Sequence, residues 1–364
     1  MKLQKTFSLI IVTVLSAAAL AACNGAQPGS VPPPPPVTAP THPDATPSEA
    51  EDSATTTVPS ETALKGARVR VGTLRGPSGM GLAPLMLWAD NGETANTYHF
   101  TLGGSPEEMT AGLISGELDI ASVPTNVAAL LYNRLEGGIR VLNVGTLGGL
   151  FIMDRTGEID TVEDLRGQTI HITGQGALPQ FAFEYVLRQN GIEPGVDIEI
   201  IFNVEHTELA TLMAVGEVDI GMLPQPFVTT VQQRSDDVQI AFGLTEAWEE
   251  ANPGTKFVQG VVVVRTEFAK AHPDAVKLFL QDHKDSVFYV NTHSPSAAVL
   301  MELFDILPAA IANLAIPHSN LVHFEGSEMI PLIESVLAVL YEANPQSVGG
   351  AMPGEEFYFL GPSS

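Results

Sequence analysis

The residues best suited to holding a small molecule cluster in short glycine-bearing loops. The run Arg75-Gly-Pro-Ser-Gly-Met-Gly81 offers a guanidinium, the Ser78 hydroxyl, the backbone amide of Gly79 and the thioether of Met80. Gly104 and Ser105 end a second apolar run. Thr125 and Asn126 follow Pro124, and Gln225 lies between Pro224 and Pro226. Gln175, Gly176 and Ala177 form a further loop before Pro179, and Thr146 ends another apolar run. Hydroxyl and amide side chains donate and accept hydrogen bonds. Arg75 is the one base in these loops, and its planar fork suits a carboxylate or sulfonate. Met80, Trp88, Phe151, Trp248 and Phe257 supply apolar or stacking surface. Core packing is the expected fate of Trp88 and Phe257, whereas Trp248 sits in the polar stretch Thr245-Glu-Ala-Trp-Glu-Glu250 and is expected at an exposed or cleft position.

The same residue types do not assemble a catalyst. There is no Gly-x-Ser-x-Gly, and the single cysteine, Cys23, lies near the start of the chain. The nine histidines are scattered, with no His-x-x-x-His spacing for a metal. His171 and His206 are expected at surface or satisfied core positions. Asp119 and Asp219 stand at strand starts, where a turn role is expected. No cofactor and no metal are implied.

An internal duplication positions these loops. Glu108-Met-Thr-Ala-Gly-Leu-Ile-Ser-Gly-Glu-Leu-Asp-Ile120 returns as Glu208-Leu-Ala-Thr-Leu-Met-Ala-Val-Gly-Glu-Val-Asp-Ile220, each followed by three residues and a proline. Each copy reads as a helix, a glycine cap and a short apolar strand. Strands of that kind are buried in parallel sheets. The rest of the chain alternates strand and helix: strands at 68–74, 98–102, 168–173, 197–202 and 256–265, and a long helix over 267–291. Two copies 100 residues apart predict two similar lobes, 67–152 with 262–364 and 153–261. In open α/β sheets ligands sit beyond the carboxyl ends of strands, beside helix N-termini. The loops named above occupy those places.

Before residue 67 the composition changes. Lys2 and Lys5, an apolar run from Phe7 to Ala22, and Leu20-Ala-Ala-Cys23 form a secretory leader ending at a lipobox. Cleavage before Cys23 would leave its thiol to carry the lipid that holds the protein at a membrane. Residues 24–62, with Pro32 to Pro36 in a row, are too poor in large apolar residues to build a core and read as a tether. The whole chain carries 17 Lys+Arg against 42 Asp+Glu, a formal charge of −25, and −27 without the leader. So acidic a protein lacks the basic footprint of a nucleic-acid binder.

On these residues the chain resembles the solute-binding proteins of ABC importers in the nitrate/sulfonate/taurine and thiamine-pyrimidine-precursor group. The likeness runs from Val69-Arg-Val-Gly-Thr73 through Gly116-Glu-Leu-Asp-Ile120, Val162-Glu-Asp-Leu-Arg-Gly-Gln168 and Gln225-Pro-Phe227 to Asn344-Pro-Gln-Ser-Val-Gly-Gly350. The resemblance implies a two-lobed type II periplasmic-binding-protein fold of the α/β class. Each lobe is a mostly parallel sheet flanked by helices, and two crossing segments join them. It implies a small organic ligand, either a sulfonate or carboxylate anion or a heteroaromatic vitamin precursor. The partners would be a permease with its ATPase, and a monomer is expected. A sensor feeding a membrane signalling protein, or an enzyme on the same fold, are the alternatives. Eukaryotic relatives that make a thiamine pyrimidine need a cysteine-rich motif that this chain lacks.

Overall fold

The computed structural model describes residues 64–202 and 206–361. The leader, Cys23 and the 24–62 tether lie outside the described residues. Val69 and Val71 bury one face of β1 (Arg68–Leu74). Gly76, at φ 120°, then turns the chain into α1 (Pro77–Asp90). That φ excludes other residues without strain, and Pro77 fits a first turn whose N–H groups have no helical acceptor. β2 (Thr97–Gly103), α2 (Pro106–Ser115), β3 (Ile120–Pro124), α3 (Thr125–Arg134) and β4 (Ile139–Leu147) complete the first alternating run. A second run follows: β5 (Leu150–Asp154), β6 (Thr169–Ile172), α4 (Leu178–Gln189), β7 (Glu199–Ile201), α5 (His206–Val215), β8 (Ile220–Pro224), α6 (Phe227–Gln232), β9 (Gln239–Gly243) and α7 (Leu244–Ala251). β10 (Val258–Arg265) precedes α8 (Thr266–Ala271), α9 (Pro273–Thr292), α10 (Ser294–Leu303), α11 (Ala309–Ala315), β11 (Leu321–Glu325) and α12 (Met329–Ala343).

The duplication is visible in three dimensions. α2 and α5 start 100 residues apart, as do β3 and β8, and β4 and β9. Gly116 caps α2 at φ 75° and Gly216 follows α5 at φ 82°. The first sheet runs β11-β4-β10-β3-β1-β2 and the second β7-β6-β8-β5-β9. In each, β1 or β6 pairs in parallel with a neighbour on either side. In each, one reversed strand is inserted, β10 between β3 and β4 and β5 between β8 and β9. The sheets are therefore mixed, but most strands of each run in one direction, as the mostly parallel expectation has it. The reversed strand is in each case the one that brings the chain over from the other sheet, so it enters from the opposite end. β11 adds a further antiparallel edge to β4. The crossings fall between Leu147 and Leu150 and between Gly243 and Val258. β5 thus starts in the second sheet before residue 153, and β10 starts in the first before residue 262.

The helix expected over 267–291 is two helices, α8 and α9, broken at His272. Pro273 lacks an N–H and clashes with the preceding turn, so it starts a helix better than it continues one. α12 packs on both α3 and α4 and so touches the helices of both sheets. Its Ile333, Val336 and Leu337 are fully buried. This contact joins the halves in addition to the two crossing segments. Among the described residues no helix is long and apolar enough to cross a membrane.

Candidate functional site

A cavity of about 430 Å³ lies where the carboxyl ends of strands from both sheets meet. That is within the range of small-molecule sites. The first sheet contributes Arg75, Ser78, Gly104, Asn126 and Thr146 to its wall, and the second contributes Ala177 and Gln225. Gly79, Met80, Ser105, Thr125, Gln175, Gly176 and Trp248 are not part of the wall. Met80 is fully buried against the Ser319 hydroxyl. The Thr125 hydroxyl donates to the Val258 carbonyl at 2.9 Å and fastens α3 to β10. Gly176 donates its amide to Gln180 Oε1 at 2.7 Å, and Gln175 is exposed.

Trp248 departs most clearly from expectation. It is 1% exposed and lies between Tyr185 and Phe257, with ring centroids 5.1 and 5.3 Å away. Leu244, Ala247 and Trp248 share one face of α7, while Glu246, Glu249 and Glu250 occupy the other. The acidic neighbours mark the solvent side of an amphipathic helix and leave the indole facing the core. Phe257 is buried, and Trp88 is part-buried edge-on to Tyr289. Phe151 of β5 meets the His318 ring edge-on.

Arg75 is half exposed, and its guanidinium is held by the Asp305 carboxylate at 2.9 Å and by the Asp305 carbonyl. The cavity mouth therefore carries a compensated ion pair. The Gly104 amide donates to Glu108 Oε2 at 3.0 Å, so a side chain of the protein already occupies it. Deeper donors are neutral. α1, α3 and α4 begin at the cavity, through Ser78, Asn126 and Leu178. Helix N-termini present N–H groups and a positive dipole end to a ligand. Gln225 is 2% exposed; its Oε1 accepts from the Thr229 hydroxyl at 2.9 Å, while its Nε2 is buried with no partner among the described residues. A buried amide donor left unpaired costs free energy. At a cavity wall it is a position where a ligand acceptor would be stabilised.

Several wall residues were not expected from the sequence to meet a ligand: Ser122, His206, Phe227, Gln259 and His283. His206, expected at a surface or satisfied core position, is the first residue of α5. Its Nδ1 lies 2.6 Å from the Thr173 hydroxyl and its ring 5.2 Å from Phe227. Gln259 Oε1 accepts from the Gly149 amide at 3.1 Å at the first crossing. His283 is buried, and burial with His323 nearby pushes its pKa down to about 3. No sequence motif brings these residues together; tertiary pairing does.

The crossing is tightly tied. Gly148 donates to the Phe257 carbonyl at 2.7 Å and accepts from the Thr245 hydroxyl at 2.6 Å and from the Asn320 amide. The Gln225 backbone N–H donates to the Gly149 carbonyl at 3.0 Å. The cavity wall and the crossing thus share residues.

Two α/β halves of one topology around a ligand-sized cavity define a two-lobed solute-binding protein. Residues 91–286 match a family model described as "ABC transporter, phosphonate, periplasmic substrate-binding protein", and the chain belongs to that family. The Bacillus subtilis binding protein YtlA is 22% identical over 63% of this chain and 79% of its own length. Among solved structures, an ABC transporter protein from Parabacteroides distasonis superposes with a TM-score of 0.69 at 21% identity, covering 80% of this chain and 98% of that one. The periplasmic aliphatic sulphonate binding protein SsuA of Escherichia coli gives 0.64 at 15% identity, covering 81% and 97%. The protein is thus the extracytoplasmic substrate-binding component of an ABC importer.

Proposed function

We propose that the protein captures a small organic anion, a phosphonate or sulfonate with an organic tail, and delivers it to a membrane permease driven by an ATPase. The unpaired Gln225 Nε2 in the cavity wall carries this reading. With Arg75 held by Asp305, the anionic head is recognised by neutral donors: Gln225, Ser78, Asn126 and the amides that open α1, α3 and α4. Fixed dipoles in a water-poor site stabilise a charge that a paired arginine would hold less selectively. Val123, Val127, Val261, Val262 and Phe227 line the same space and suit the organic tail, which nitrate lacks. The sulfonate and phosphonate chemistry fits the family description and the sulphonate-binding structural relative.

The two sheets act as lobes that close on the ligand by hinge motion at the Gly148–Gly149 crossing and its partner before Val258. The chain turns over no substrate and works as a monomer. Its leader is removed before Cys23, whose lipid holds the protein at the membrane while residues 24–62 space the domain from the surface.

A thermal-shift screen of the full chain tests the ligand class. The compounds are alkylphosphonates, alkylsulfonates, carboxylates, nitrate and pyrimidines. A bound ligand raises the melting point by mass action, by about 2.7 kcal/mol of stability at 100 times Kd. The expected result is a rise with phosphonates or sulfonates and recovery of the compound unchanged. A rise with nitrate or pyrimidines alone would sink the organic-anion reading.

A further inference from the structure

The cavity wall carries a polar device that the anion-binding reading does not use. His283 on α9 and His323 on β11 meet through their Nδ1 atoms at 2.9 Å, with ring centroids 5.1 Å apart. His323 Nε2 is buried without a hydrogen-bond partner among the described residues, and the nearby carboxylate is Glu325 Oε1 at 3.7 Å. Burial lowers the pKa of both imidazoles, so each carries one proton. A lone pair on His323 Nε2 would face the Glu325 carboxylate and be repelled, whereas an N–H there is attracted. The proton of His323 therefore sits on Nε2 and its Nδ1 accepts. The short Nδ1 to Nδ1 contact then requires that His283 donate from Nδ1, which leaves His283 Nε2 as a bare lone pair.

That lone pair faces cleared space. A Cβ on Gly145 would lie 3.6 Å from Val262 and 4.0 Å from His283 Nε2, and a Cβ on Gly81 would meet Val287 at 3.4 Å, so side chains there would fill this space by ordinary contact. Gly81, Gly145, Val262, His283 and Val287 all line the cavity. The two glycines keep the volume open beside the imidazole, and the valines make its other walls apolar.

We propose that His283 Nε2 is a hydrogen-bond acceptor subsite selecting ligands whose organic tail ends in an O–H or N–H donor, its polarity fixed by His323 and Glu325. This rests on the organic-anion reading of the cavity. It goes further by assigning a second contact of the ligand: an anionic head at Gln225 and the helix starts, and a tail donor at His283. An alkyl tail would leave the imidazole acceptor desolvated and unpaired, which is costly.

The test compares matched probes on the full chain by titration calorimetry: ethyl-, propyl- and butylphosphonate against their terminally hydroxylated forms. At one chain length or more the hydroxylated probe is expected to bind roughly tenfold tighter. His283→Phe should erase that preference, because no acceptor is left for the terminal hydroxyl. Imidazole nitrogen shifts of the wild-type chain, which need no variant to fold, should show His283 protonated on Nδ1 and His323 on Nε2. Equal affinities for hydroxylated and plain probes, a preference that survives His283→Phe, or a proton on His283 Nε2 would each overturn the proposal. If none of these probes binds and the matching alkylsulfonates do not bind either, the organic-anion reading falls, and the nitrogen shifts alone decide whether the acceptor subsite stands.

Discussion

Gln225→Glu separates the proposed recognition from mere packing. The two side chains have the same shape, and the variant retains the oxygen that accepts from the Thr229 hydroxyl at 2.9 Å and the Thr229 amide at 3.4 Å. Only the unpaired Nε2 donor is replaced, by an oxygen. A hydrogen bond to a charged acceptor contributes about 1.5–3 kcal/mol, which is roughly 10- to 150-fold in Kd. Gln225 is 2% exposed, so a carboxylate there would also meet the anionic head with little screening. The loss should therefore grow as pH rises and the new carboxyl ionises. Calorimetric titration of wild type and variant with an alkylphosphonate or alkylsulfonate, between pH 6 and 8.5, measures this. A melting curve without ligand checks that the variant is folded. A Kd within about threefold of wild type at both ends of the range would refute the assignment of Gln225 Nε2 as a ligand donor.

Acid should weaken the fold through His283. Its folded pKa, about 3, lies below the ordinary 6.5, so the unfolded chain takes up the proton first. Stability from this group is complete above pH 6.5 and falls as pH drops toward 3; between pH 7 and 5 the loss is roughly 2 kcal/mol. Denaturant titration at both pH values should show that loss, much reduced in His283→Phe. Gly148→Ala places a Cβ 2.1 Å from Phe257 Cδ1 and 2.6 Å from Thr245 Oγ1. Overpacking of that kind costs about 1–3 kcal/mol, read as a lower denaturation midpoint, and an unchanged midpoint would show that the crossing is slack. Cys23→Ser should move the protein from the membrane to the soluble fraction on cell fractionation.

The duplicated helix-glycine-strand unit was legible because its signals are local. A glycine at positive φ ends the helix, and a nearly buried strand shows as a short run of small and apolar residues, as at Ile120–Pro124 and Ile220–Pro224. β9 and β11 were missed because they are edge strands, mostly half-buried, without clean alternation. The cavity loops were placed by topology, since strand ends collect where both sheets terminate. Their detailed roles were not legible. Arg75 finds Asp305, 230 residues away, and His283 finds His323 across 40 residues. Such partners are chosen by folding and leave no spacing signature. Trp248 shows the reverse case, where polar neighbours in sequence belong to the other face of the same helix.

The seat of α12 on both α3 and α4 constrains how the molecule can gape. α12, with Ile333 and Leu340 buried, acts as a spine shared by both halves. The jaws would rock against this spine without parting from it, so little apolar surface is re-wetted in each cycle. A guest that touches both jaws then needs only a modest preference for the shut form to shift the balance.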